Sequence, residues 1–161
     1  FYKAAEIAHK AKKKVSLSLS DPFCVDRDRE AFLDLVKGHV DILFANEAEI
    51  LSLYQAKSFD EAVEQTRGNC EISVITRSEK GSIIISADGI TEIKAEPVKQ
   101  VVDTTGAGDL YAAGFLHGYT KGRPLKTCGR MASICAAEII AQVGARPQRS
   151  LAQLLQDKNV A

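Results

Sequence analysis

Residues 103 to 109 read Asp103-Thr104-Thr105-Gly106-Ala107-Gly108-Asp109 and run straight into the amphipathic stretch Leu110 to Tyr119. Two glycines and an alanine ahead of a helix let backbone N–H groups approach an anion closely. The helix turns its positive end to the same place. An acid is out of place in such a hole as a mere binding group. It has a role if it takes a proton from an attacking hydroxyl while the amides hold charge developing on phosphate. The other reading is a glycine turn with Asp109 capping the helix. On these residues alone, both stand.

Working outward, apolar runs of strand length alternate with stretches of helical spacing. The chain opens in what reads as mid-helix, Tyr2, Ala5, Ile7 and Ala8 alternating with Lys3, Glu6 and Lys10, which points to a piece of a larger protein. That helix is expected to end in Lys12-Lys13-Lys14, since cations are favourable at a helix C-terminus. Val15 to Leu19 reads as a strand and Asp21-Pro22 as the turn after it. Arg27 to Lys37 reads as a helix, Val40 to Phe44 as a strand, and Asn46 to Tyr54 as a helix. Ser58, with Glu61 three residues on, opens another helix. Ile72 to Thr76 reads as a strand. Ser82 to Ser86 and Ile90 to Ala95 flank Asp88-Gly89, a hairpin signal. Beyond the opening motif, Leu110 to Thr120, Leu125 to Gln142 and a weak segment from Ser150 read as helices.

This alternation predicts an α/β protein: three layers, a mostly parallel sheet with helices on both faces, and an antiparallel hairpin toward one edge. In such sheets ligands gather beyond the carboxyl ends of the strands. Asn46 to Glu49, Thr76 to Gly81 and Asp103 to Asp109 each follow an apolar strand pattern, which predicts that all three meet at one rim.

The composition excludes several classes of function. The 21 basic and 21 acidic side chains cancel, so nothing electrostatic favours nucleic acid or an anionic membrane as partner. No apolar run approaches a membrane span. Cys24, Cys70, Cys128 and Cys135 form no C-x-x-C pair, which argues against zinc and redox motifs and suits four reduced thiols in a cytoplasmic protein. Neither a P-loop nor the protein-kinase motif set occurs.

Each remaining constellation carries two readings. Asn46 and Glu49 have the spacing of a capping box, and they could equally orient hydrated Mg²⁺ on a nucleotide, since magnesium keeps its waters and takes few protein carboxylates. Thr76 to Gly81 is a polar loop that could wrap a diphosphate or simply turn. Asp103 and Thr105 could ligate a monovalent cation or organise the turn through their side chains. His117 reads as a packed or surface histidine. The Ala132, Ala136, Ala137, Ile139, Ile140 and Val143 face reads as core, with room beneath an adenine ring as the alternative; Cys128 and Cys135 are expected on that buried face.

Taken together, Asp103 to Asp109, the small-residue helix Leu110-Tyr111-Ala112-Ala113-Gly114-Phe115 and the upstream Asn46-x-x-Glu49 closely resemble the ribokinase (PfkB) family of carbohydrate and nucleoside kinases. The resemblance covers essentially the whole chain, as the C-terminal, nucleotide-binding part (1–161) of a ribokinase-like domain. The family's N-terminal part, with its Gly-Gly sugar-binding motif and lid, is not in this sequence. The resemblance implies an ATP-dependent kinase acting on a primary hydroxyl of a sugar or nucleoside. Asp109 would be the base, and Thr105, Gly106, Ala107 and Gly108 would surround the transferred phosphoryl group. Asn46 and Glu49 would hold the Mg²⁺–phosphate network through water. Thr76 and the loop to Gly81 would approach the nucleotide phosphates, the rim from Ala136 to Gly144 would border adenine, and Asp103 with Thr105 matches a potassium-like site. Arg77-Ser78-Glu79 is bulkier than the small-residue loop many relatives carry, and Ser133-Ile134 lacks a polar residue some of them set beside adenine. Ser16 to Phe23 and Asp41 to Glu47 look most like the adenosine-kinase branch, which favours a ribosyl or nucleoside acceptor. A homodimer stays open. A non-catalytic nucleotide- or sugar-binding regulator on the same fold is the alternative function, although it would have no need of a base at Asp109.

Overall fold

Five strands form one sheet in the order β1-β2-β3-β4-β5, in a computed structural model that describes residues 1–160. The strands are β1 (Ser16–Ser18), β2 (Ile42–Asn46), β3 (Ile72–Thr76), β4 (Ser82–Ser86) and β5 (Gly89–Ile93). The first three run parallel, in a register that pairs Leu17 with Leu43, Phe44 with Val74, and Asn46 with Thr76. Only two residues separate β4 from β5, and a connection that short joins antiparallel strands. The mixed α/β sheet with its edge hairpin matches the expectation from the alternating pattern.

The chain divides into two compact units, one of Phe1–Arg77 with Ile83–Ile90, the other of Ser78–Ser82 with the chain from Thr91 onward. In the first unit, β2 and β3 show no in-out alternation, because both their faces are buried. Strands with two covered faces read as continuous apolar runs, which is what Ile42-Leu43-Phe44-Ala45 is. Helices α1 (Tyr2–Lys10), α2 (Pro22–Arg27), α3 (Arg29–Gly38), α4 (Glu47–Tyr54) and α5 (Phe59–Thr66) accompany these strands. Leu19, Val25, Val36, Leu43, Ile50, Leu53 and Ile75 form the heart of the core.

Three local expectations change here. Asp21-Pro22 opens a helix: the Asp21 carboxylate accepts the Phe23 N–H at 2.7 Å, and Pro22 takes the first helical position, where its missing N–H costs nothing. The helix expected over Arg27 to Lys37 is split, since Asp28 both closes α2 and precedes α3. The first helix stops at Lys10, ahead of the lysine run, and Lys12 takes a left-handed φ of 55°.

The second unit is built on α6 (Ala107–Tyr119), α7 (Leu125–Ile140) and α8 (Leu151–Asp157). Helices α6 and α7 approach closely because α6 presents glycines at the contact. A Cβ on Gly114 would lie 2.8 Å from the Ala132 Cα, and one on Gly118 would lie 3.0 Å from the sulfurs of Cys128 and Met131. Phe115, fully buried between these two glycines in sequence, contributes about 2–3 kcal/mol by leaving water. Met131, Ile134 and Cys135 of α7 pack with Leu154 and Leu155 of α8. Cys128 and Cys135 are both buried, and all four cysteines are free thiols. No helix among the described residues is long and apolar enough to cross a membrane.

Candidate active site

In the first unit the strand ends build an amide and carboxylate pair. Asn46 is the last residue of β2 and the N-cap of α4. Its Oδ1 accepts the Glu49 N–H at 2.8 Å, its own N–H donates to Glu49 Oε2 at 2.9 Å, and its Nδ2 donates to Glu49 Oε1 at 2.8 Å. The capping box is therefore complete. Glu49 is 5% exposed. Burial pushes its carboxyl above the ordinary value, with the charge of Asp21 adding to the rise, against the lowering effect of the Asn46 backbone bond. Both carboxylate oxygens already accept a bond, and among the described residues no group of three or more His, Cys, Asp or Glu is placed to hold a metal ion. The pair fits an ion held mainly by substrate phosphates and water, and it does not fit an all-protein metal cage.

Thr76, the last residue of β3, stands beside Asn46 in register, and its hydroxyl reaches the Ala45 carbonyl at 3.5 Å. Arg77 is committed within the same unit. Its guanidinium lies 3.8 Å from the centroid of the Phe59 ring and 3.1 Å from Glu47. That contact, worth about 0.5–2 kcal/mol, was not legible in the sequence, because Phe59 and Arg77 are joined only by the tertiary fold.

In the second unit the segment ahead of α6 is not a strand, contrary to the sequence pattern. Residues 94–104 carry no regular structure; Val101 and Val102 are 57% and 48% exposed, and the Val102 N–H is taken by the Ile140 carbonyl. The turn that follows is organised by Asp103. Its Oδ1 accepts the Thr105 N–H at 2.9 Å and its Oδ2 accepts the Gly144 N–H at 2.8 Å. The Thr105 hydroxyl foremost, then these two amides, hold the Asp103 carboxyl below the usual range. Asp103 thus fills the turn-organising role.

Gly106, at a left-handed φ of 81°, is the N-cap of α6 and has no side chain to satisfy the helix end. Ala107, Gly108 and Asp109 make up the first helical turn. Here the sequence expectation needs adjusting: the Ala107 N–H donates to the Thr104 carbonyl at 3.1 Å and is spent, as is that of Thr105. The amides of Gly106, Gly108 and Asp109 have no internal acceptor among the described residues, which is the usual condition of a helix N-terminus without a side-chain cap. Gly108 and Asp109 are exposed. Asp109 is not the cap, and its carboxylate has no hydrogen-bond or ion-pair partner among the described residues. The geometry leaves an open carboxylate and three open amides in one helical turn.

The flanks are less rich. Gly81, with a φ of 88°, is pressed against the Ile93 carbonyl and the Ala95 N–H, closing a 3-10 turn over Ser78–Lys80. Ala136 is half-buried on α7, whereas Val143, expected on the same buried face, lies past the helix end at Ile140 and is 76% exposed. Gly144 (φ 86°) serves through its amide as the tether of Asp103. Of the three segments expected at one rim, Asn46 and Thr76 lie side by side, whereas Asp103 to Asp109 belongs to the second unit. Sequence reasoning missed Ala145, whose Cβ would meet a methyl on Gly106 at 2.8 Å. No local signal marks that contact across 39 positions of chain.

The chain is similar in sequence to a cytidine kinase of Thermococcus kodakarensis, at 37% identity over 119 residues, covering 72% of this chain and 42% of that protein. In structure it superposes on a probable sugar kinase protein from Rhizobium etli with a TM-score of 0.96 and 45% identity, over 99% of this chain and 48% of that one. On an adenosine kinase from Sinorhizobium meliloti it gives a TM-score of 0.94, also at 45% identity, over 97% and 48% of the two chains. The chain thus spans about half the length, or less, of the relatives it matches. The family described as pfkB family carbohydrate kinase matches residues 1–151. The chain belongs to the pfkB family of carbohydrate kinases.

Proposed function

We propose that the complete protein transfers a phosphoryl group from ATP to a primary hydroxyl of a sugar or nucleoside, and that residues 1–161 supply its nucleotide-binding and base-bearing part. The observation that carries this reading is Asp109, exposed at the third position of α6 in the same turn as three uncommitted amides. A carboxylate there can accept the proton of an attacking hydroxyl, and the amides can hold the charge that gathers on the transferred group. Phosphoryl transfer needs little more from a protein than this positioning and charge stabilisation. Gly108 supports the reading from another side, because an added Cβ would meet nothing within 4 Å. Packing within the chain does not require glycine there, whereas close approach of a phosphate would.

Asn46 and Glu49 would hold Mg²⁺ on the nucleotide through water, the ion neutralising phosphate charge when bound. Thr76 and Gly81 would approach the nucleotide phosphates, and Ala136 and Gly144 would border the adenine. Asp103 and Thr105 would lie beside a potassium-like ion, the lone pairs left on their oxygens being the donors on offer. The acceptor we favour is a nucleoside or ribosyl compound. The Ser16 to Phe23 stretch supports that preference, together with the names of the cytidine kinase and adenosine kinase to which the chain is similar.

The test is Asp109→Asn in the complete enzyme. Nucleotide binding is expected to persist while kcat falls by about 10²–10⁴, the loss typical of a missing general base. Near-wild-type turnover would overturn the assignment, and a panel of nucleosides and sugars would identify the acceptor.

A further inference from the structure

Ser82 and Tyr111 share a hydrogen bond that the reaction, as read above, leaves unused. Their hydroxyl oxygens are 2.5 Å apart, Ser82 is 3% exposed and Tyr111 6%, and neither hydroxyl has another partner among the described residues. Burial pushes the Tyr111 phenol up to about 12, so it stays protonated at any physiological pH. A pair of polar groups in an otherwise apolar setting contributes little net stability beside two apolar groups of the same shape. What such a pair does supply is direction, since a hydrogen bond is satisfied only over a narrow range of distance and angle.

The two residues sit where direction matters. Tyr111 lies two positions after Asp109 on α6 and is the first buried residue of that helix. Two positions correspond to about 200° of rotation, so Asp109 and Tyr111 occupy nearly opposite faces. Fixing the buried face sets the azimuth of the exposed one. Ser82 follows Gly81, which is packed so closely that a Cβ there would lie 2.1 Å from the Ile93 carbonyl and 2.9 Å from the Ala95 N–H. The serine hydroxyl is thus presented from the closely packed start of β4. Farther along α6, Gly114, Phe115 and Gly118 seat the helix on α7; nearer its start the helix is held by the Asp103 turn, by Ala145 against Gly106, by Leu110 on the α7–α8 cluster and by Tyr111.

We propose that Tyr111, through its hydrogen bond to Ser82, is a positioning residue that sets the rotation of the first turn of α6 and with it the aim of Asp109. The proposal rests on the reading of Asp109 as the base. It adds that the 78–82 segment and the base-bearing turn move as one piece.

The test compares Tyr111→Phe, Ser82→Ala and the double variant in the complete protein. Each single variant strands one buried hydroxyl and is expected to lower Tm. The double variant strands none, so its Tm is expected to return to within about 2 °C of wild type. If the pair positions the base, kcat in the double variant stays about tenfold or more below wild type, KM for the acceptor is little changed, and amide hydrogen exchange over residues 106–112 is faster than in wild type. Recovery of kcat together with Tm, or unchanged exchange over 106–112, would overturn the proposal and leave the Asp109 assignment untouched. Should the wild-type protein transfer no phosphate to any acceptor, the base reading fails, and the exchange measurement alone decides whether the pair holds the turn.

Discussion

Gly106 and Ala145 meet so closely that a methyl group on the glycine would lie 2.8 Å from the alanine Cβ and 3.1 Å from its Cα. The same glycine holds a φ of 81° as the N-cap of α6, so conformation and space both exclude a side chain at this point. Gly106→Ala is expected to destabilise the protein by about 1–3 kcal/mol, read as a lower urea midpoint, and to displace the first turn of α6. An unchanged midpoint would show that the turn relaxes freely.

Gly108 is the informative contrast, since it lies inside the first helical turn, is exposed, and has open space around it. Alanine there should stabilise the helix by a few tenths to about 1 kcal/mol. If phosphate approaches the bare backbone, the methyl group obstructs it and kcat falls by about tenfold or more. A raised Tm with lowered kcat is the expected pair of results. A raised Tm with full activity would place the phosphate elsewhere.

Asp103 links the turn to the loop after α7, and its folded carboxyl is held below its ordinary value of 3.8 by the Thr105 hydroxyl and the amides of Gly144 and Thr105. A depressed native value means that the unfolded chain binds the proton first as pH falls. The contribution is complete above that ordinary value and disappears as pH drops through the lower native one. Asp103→Asn can accept only one of the two amides. It is expected to lower Tm at pH 7 and to flatten the fall in Tm on acidification below pH 4 relative to wild type, as followed by thermal melts across pH.

Glu49 has the opposite sign. Burial raises its carboxyl above the ordinary 4.5, so in the window between 4.5 and the raised value the folded protein is the form that holds the proton. Stability from this group therefore rises as pH falls through the window and is lower above it. Glu49→Gln can keep the bond from the Asn46 N–H, as glutamine does in a capping box, but it sets an amide donor against Asn46 Nδ2 in place of the second acceptor oxygen. It is expected to lower Tm slightly at pH 7 and to abolish the acid-side gain. If the pair organises Mg²⁺ on the nucleotide, kcat/KM for Mg–ATP drops by about 10–100-fold. Intact kcat/KM would confine Glu49 to capping.

Much of the site was legible residue by residue because its signals are local. The capping box of Asn46 and Glu49 is written in a spacing of three, and it formed as spaced. The Ser58 cap formed too, its hydroxyl accepting the Glu61 N–H, although Glu61 turned to the Lys57 N–H. The reading failed where a local signal had two outcomes. Asp-Pro marks a turn or a helix start, and the packing of Val25 into the core selected the helix. Val101-Val102 has strand-forming residues but no ladder partner, so it stayed irregular.

The amino-acid order alone dictated the alternation of buried strands and helices, the glycine-opened turn before α6, and the acid in its first helical turn, since each depends on neighbours within a few residues. Which amides in that turn are spent is also a local matter, since the acceptors are the Asp103 carboxylate two residues before Thr105 and the Thr104 carbonyl three residues before Ala107. Only the tertiary fold decided the Gly144 tether, the Ala145 wall behind Gly106, and the Ser82–Tyr111 bond. Those contacts join residues about 30 to 40 positions apart. They exist only once burial of apolar surface has brought distant segments together and left each polar group to find whatever partner lies within reach.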